Sequence, residues 1–199
     1  IECSNVQGSG VECNSEGNQF VNLTLVGGGT GCYFALNIPS TSSSTEITNL
    51  YCTGTFSTTA GQFALGFQLC NVTNVNLDVG AAINANFYIS LYAWAHIVNL
   101  TPWTGVSPGT TTADIFIEMG DENSITNANL TSGNLDFDVG DNNAITNVVT
   151  TGSFDFTDAS ATNNFVSKCR VSGAMTMAGD RNKISDCELL GGATISSGA

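Results

Sequence analysis

The chain has 199 residues, and its 17 acidic and 4 basic side chains give a formal charge of −13. That balance argues against nucleic acid and against insertion into or binding of an anionic membrane, since both partners ask for a basic face and no run of about 18 apolar residues exists. Hydrophobic residues make up 42% and are patterned, so the chain is expected to fold, and its length suits one domain.

From its start the chain is in mid-pattern, with no initiator methionine or signal peptide at Ile1, and is expected to be a piece of something longer. Cys3 and Asn5 look like an incomplete first copy of a motif that then recurs eight times. Its apolar anchors are Phe20, Ile47, Val72, Ile97, Ile125, Ile145, Phe165 and Ile184. Two residues beyond each anchor stand Asn22, Asn49, Asn74, Asn99, Asn127, Asn147, Ser167 and Asp186. The anchors are spaced 27, 25, 25, 28, 20, 20 and 19 residues apart. Self-similarity at such a period means one supersecondary unit stacked on copies of itself. Apolar residues alternate with polar ones inside each copy, as in Leu135, Phe137 and Val139, which is strand periodicity. The expected fold is an all-β parallel β-helix of eight to nine coils of 19–28 residues forming a single domain over 1–199. Coils in 1–118 carry loops, and those in 119–199 are regular. The Asn column is expected to form an amide ladder in a buried corner, one rung every 4.8 Å or so, where Asn also tolerates left-handed backbone angles.

The longer early spacings place loops at Asn37–Glu46 and Trp103–Ala113. Glycines follow six of the eight anchors (Gly27, Gly54, Gly133, Gly152, Gly173, Gly191) and mark a tight corner. Core-filling strands come next: Leu135 with Phe137, Phe154 with Phe156, Met175 with Met177, Ala193 with Ile195. Seven cysteines include no CxxC pair, so no metal site is expected. Cys169 and Cys187 should stack inward as thiols on neighbouring rungs, while disulfides stay open for Cys3, Cys13 and Cys32.

Aligning the coils sets Phe87–Ser90, Ile115–Glu118, Leu135–Asp138 and Phe154–Phe156 in register. The outward column is then Tyr88, Phe116, Asp136, Asp155 and Thr176, with Ser90, Glu118 and Asp138 two residues along. Rings beside carboxylates suit a sugar, which offers a face to stack on and hydroxyls to bond. Tyr88, Phe116, Glu118, Asp138, Trp94 and Trp103 are the candidate glycan-binding residues. Asp136 and Asp155, one rung apart, are the candidate catalytic pair of a glycoside hydrolase. Solvated carboxylates that keep a parallel sheet soluble would look the same. Asp121 and Asp141 fit a turn role. The basic residues Lys168, Arg170, Arg181 and Lys183 sit near corners of the last two coils and read as solubilising. His96, the only histidine, has nothing in the sequence to orient it as a base.

The signature Gly-Asp-x-Asn-x-Ile-x-Asn/Asp, ending in Gly and then alternating apolar residues, resembles the right-handed parallel β-helix of phage tailspikes and tail fibres. It is clearest over Gly120–Gly198 and weaker before Cys70. The resemblance implies a homotrimer in a virion appendage, outside the cell, that meets other virion proteins and adheres to bacterial surface polysaccharide. No catalytic motif of the wider pectate-lyase-like group is present, so the resemblance transfers no catalytic residue. The alternatives are a polysaccharide-degrading enzyme on the same fold and a purely structural shaft. No cofactor is expected, with calcium the one ion the acidic face could take.

Overall fold

A repeated alternation of apolar and polar residues is buried most simply when each strand pairs with its own copy in the next repeat. The computed structural model, which describes residues 2–3, 9–30, 34–39, 43–57, 65–78, 87–102, 115–130, 135–156 and 160–195, is built this way. Among the described residues every strand pairing is parallel. The strands form two sheets, of eleven and nine strands, and each strand neighbours its counterparts in the turns before and after. The described residues include no helix. The fold is an all-β parallel solenoid.

In its compact part, Ile115–Asp121 in the nine-stranded sheet leads to Ser124–Leu130 in the eleven-stranded sheet, and Leu135–Val139 returns to the first. Ile117 lies opposite Phe137, Leu135 opposite Phe154, Phe154 opposite Met175 and Met175 opposite Ala193, so these turns close after 20, 19, 21 and 18 residues. The compact solenoid thus comes to about four turns, and the other copies counted from the anchors lie upstream of it. Upstream the anchors do stack, with Phe20 opposite Ile47, Ile47 opposite Val72, Val72 opposite Ile97 and Ile97 opposite Ile125. The expected loop Asn37–Glu46 is shorter than its range, because Phe34–Ile38 and Thr45–Ser57 are strands. The Trp103–Ala113 loop lies outside the described residues.

Two corners per turn are made by residues in the left-handed backbone region. One is the Asn22, Asn49, Asn74, Asn99, Asn127, Asn147 column, with φ between 55° and 61°. Its amides form the expected ladder, each donating to the Asn one turn earlier at 2.8–3.1 Å. The ladder is nevertheless on the outside, with five of its six residues exposed. The register also corrects its lower end. Val166, not Phe165, lies between Ile145 and Ile184, so Lys168 and not Ser167 continues the column to Asp186, and both have φ 55°. Ser167 is buried and hydrogen-bonds Thr146 at 3.2 Å. Phe165 faces outward, 36% exposed, with the Lys183 ammonium 5.6 Å from its ring centre.

The second corner lies five residues earlier, at Gly17, Ser44, Leu69, Trp94, Glu122, Asn142, Asn163 and Arg181, with φ from 49° to 68°. Directly after it comes a second amide column, buried at Asn123, Asn143 and Asn164 and half-buried at Asn182. Asn123, Asn143, Asn164 and Asn182 accept from the backbone N–H of Ala95, Asn123, Asn143 and Asn164 at 2.8–2.9 Å. Their amide nitrogens donate to the carbonyls of Leu91, Gly120, Gly140 and Ala161 at 2.8–3.0 Å. Corner N–H and C=O groups lie beyond the strand ladders, and a buried one must find another partner. Asp121 and Asp141 serve the same turns from outside, accepting from the Asp141 and Thr162 N–H at 2.9 and 2.6 Å.

Inside, Ile125, Ile145 and Val166 line one wall, and Ile117, Phe154, Phe156, Met175 and Met177 line another. Cys13, Cys52, Cys70, Cys169 and Cys187 form no disulfide, which takes Cys13 out of the open pairings. Cys169 and Cys187 stack on adjacent rungs as expected, the Cys169 N–H donating to Cys187 Sγ at 3.4 Å. Burial pushes the Cys70 thiol up to about 12 and the Cys169 thiol up to about 11. A thiol with its pKa raised in the folded state contributes stability that is complete below 9.0 and is lost as pH climbs toward 11–12. Thermal unfolding should therefore show a melting temperature that falls between pH 9 and pH 11, and Cys70→Ala should flatten that fall.

Candidate functional site

Alternation along a strand brings every second side chain to the same face, and parallel stacking lines those positions up in columns. The nine-stranded sheet carries the columns read from the sequence. Tyr88 lies opposite Phe116 and Ser90 opposite Glu118. Glu118 in turn lies opposite Asp138, and Asp136 opposite Asp155, which is followed by Thr176. Glu118 is exposed. Ser90 is not: it is 1% exposed, as buried as Ile89 and Leu91 on either side. Gly66, its partner on the previous rung, is buried too. Strand alternation sets which way Ser90 points but not what lies over it. Trp103 lies outside the described residues.

Trp94 does not share that sheet. It occupies the second corner, with φ 49°, and is 51% exposed. Its indole N–H donates to the Glu122 carboxylate, the corner residue of the next turn. Beside it a shallow groove of about 270 Å³ runs up three successive corners, lined by Ser43, Ser44, Leu69, Asn71, Trp94 and His96. His96 and Asn71 stand opposite each other on adjacent rungs, on the strands that leave these corners. Ser124, opposite His96 on the far side, holds the imidazole through Nδ1 at 2.8 Å from its Oγ. Sequence reading found nothing to orient His96, because that partner is 28 residues away.

Sequence reading also passed over Tyr92. Tyr92 is 42% exposed, immediately before the corner. A signal was present: Tyr92, Trp94 and His96 alternate with alanines, the pattern of a strand presenting large polar-edged side chains on one side. The four basic residues stay at the far end. Arg170 pairs with Glu188 at 2.9 Å, with both side chains more than half exposed, and such a pair contributes about 0–1 kcal/mol. Lys168 and Arg181 occupy the two left-handed corners and are exposed. Among the described residues, no cluster of three or more His, Cys, Asp or Glu side chains is placed to hold a metal ion. No family model, no curated protein and no solved structure matches this chain.

Proposed function

We infer that this chain is part of a surface appendage, of the kind virions carry, that holds bacterial surface polysaccharide along the solenoid. What carries the reading is the continuous register on one sheet: Tyr88 opposite Phe116, Glu118 opposite Asp138, and Asp136 opposite Asp155. Aromatic rings stack on the apolar face of a sugar, and carboxylates accept from its hydroxyls. The appendage assignment rests on the coil signature. It brings with it a homotrimer, contact with other virion proteins and a place outside the cell, with neither nucleic acid nor a bilayer as partner. Calcium is the one ion this reading admits, bridging the acidic columns, and no step depends on it.

The Asp136–Asp155 register favours a second reading, a glycoside hydrolase. Neighbouring rungs stand about 4.8 Å apart, close to the roughly 5–5.5 Å between the two carboxyl groups of retaining enzymes. Incubation with capsular and O-antigen polysaccharides separates the outcomes. Retention without new reducing ends supports an adhesin, new reducing ends an enzyme, and neither a structural shaft. Tyr88→Ala or Phe116→Ala should weaken adsorption by about 1–3 kcal/mol. Under the enzyme reading, Asp136→Asn or Asp155→Asn should abolish turnover while adsorption persists. Light scattering of the same protein should give a trimer mass, and a stable monomer would count against the appendage reading.

A further inference from the structure

Trp94 is where the backbone does not want it. At its corner the other turns place Gly17, Asn142 and Asn163, residues that reach the left-handed region at little cost, beside Ser44, Leu69, Glu122 and Arg181. A bulky aromatic residue there is strained, and this one gains little by burial, being half exposed. Its ring does not lie loose on the surface, because Glu122 of the next turn ties the indole N–H. The result is a fixed, open aromatic face beside a groove of about 270 Å³, in which the Ser44 hydroxyl, the Asn71 amide and the His96 imidazole supply donors and acceptors. Nothing in that lining is a lysine, an arginine or a carboxylate. Among the described residues, the charged side chains bonded to or in register with this lining include Glu122, on the indole, and Glu46, opposite Asn71. All four basic residues of the chain are at positions 168–183, several turns away.

A fixed aromatic face beside a hydroxyl, an amide and an imidazole suits a ring that is apolar on one side and hydroxylated at its edge. Acidic neighbours with no lysine or arginine in the lining disfavour uronate, sialate or phosphate groups. We propose that the Trp94 corner is a binding subsite for one neutral pyranose unit, separate from the Tyr88–Phe116 face. The proposal rests on the glycan-binding reading above and adds the place and the charge class of the sugar it takes.

The test is a binding panel of neutral oligomers of glucose, galactose and N-acetylglucosamine, set against polygalacturonate and sialyl oligosaccharides. Parent protein should retain neutral members only, and Trp94→Ala should lower that affinity about tenfold or more. Trp94→Asn should lose binding equally while melting within about 4 °C of the parent, since Asn accepts the corner conformation. A ring kept for structure predicts the reverse for Trp94→Asn, a large drop in melting temperature with affinity intact in whatever remains folded. Retention of acidic members overturns the proposal. So does unchanged affinity in both Trp94 variants, and if Tyr88→Ala then loses binding, the sheet-face reading stands without it. A panel in which no glycan is retained removes the glycan reading itself and this subsite with it.

Discussion

Gly173→Ala should lower the melting temperature by about 6–12 °C, the equivalent of about 3 kcal/mol in a chain of this length. The reason is the closeness of the rungs at the glycine corner. A Cβ on Gly173 would stand 2.6 Å from the carbonyl carbon and oxygen of Gly152 and 2.7 Å from the Ser153 nitrogen. All three are backbone atoms, so no side chain can swing aside. The rungs cannot part cheaply either: the Gly173 N–H donates to Gly152 O at 3.2 Å, and the Ser172 N–H to Thr150 O at 3.0 Å. Overpacking that must be relieved by moving backbone breaks ladder hydrogen bonds as well. Gly120→Ala should behave the same way, with its Cβ driven onto the Tyr92 carbonyl oxygen. Gly17→Ala is the control. Its Cβ meets nothing within 4 Å, and only its φ of 68° is penalised, so it should cost about 1–2 kcal/mol. Circular dichroism melts of the three variants decide it, and a Gly173→Ala protein as stable as the parent would mean that the rungs are not stacked this closely.

Asn143→Leu should cost more than Asn127→Leu, although both replace one member of an amide ladder. Asn143 accepts from the Asn123 N–H and donates to Gly120 O, both at 2.8 Å, and its side chain is buried. Leucine leaves both backbone groups without a partner, at about 1–3 kcal/mol each, so a total near 3–5 kcal/mol is expected. Asn127 bonds only to Asn99 and Asn147, at 3.1 and 2.8 Å, on the exposed side. Water replaces those bonds, and what remains is the strain of leucine at φ 59°, about 1–2 kcal/mol. Asn127→Gly removes that strain and should be close to neutral. Urea unfolding with a common slope measures the difference, and equal losses for the two leucine variants would contradict the assignment of the buried ladder.

The two asparagine columns show how much of this molecule could be read from its residues. Both recur at the repeat period, and both were visible in Asn123-Ser-Ile-Thr-Asn127 and Asn143-Ala-Ile-Thr-Asn147. The column two residues after the anchor drew attention because six turns share it. The column two residues before it, confined to Asn123, Asn143, Asn164 and Asn182, looked like part of a turn. Its burial comes from the left-handed residue just before it, which turns the chain so that the next side chain points inward. Phe165 and Val166 make the same point about register. Either could fill the inward position, and the Asn164 side chain, bonded to the Asn143 N–H, settles which one does.

The amino-acid sequence by itself determined the parallel solenoid, its inward anchors and the in-register columns of the nine-stranded sheet. A repeated alternation of apolar residues has few ways of being buried other than stacking copy on copy. The tertiary structure alone decided which amides are enclosed, that Ser90 is covered, and that Trp94, His96 and Asn71 border one groove with the Ser44 corner. Those outcomes depend on left-handed corners and on neighbours 18 to 28 residues away along the chain, and periodicity carries no information about either.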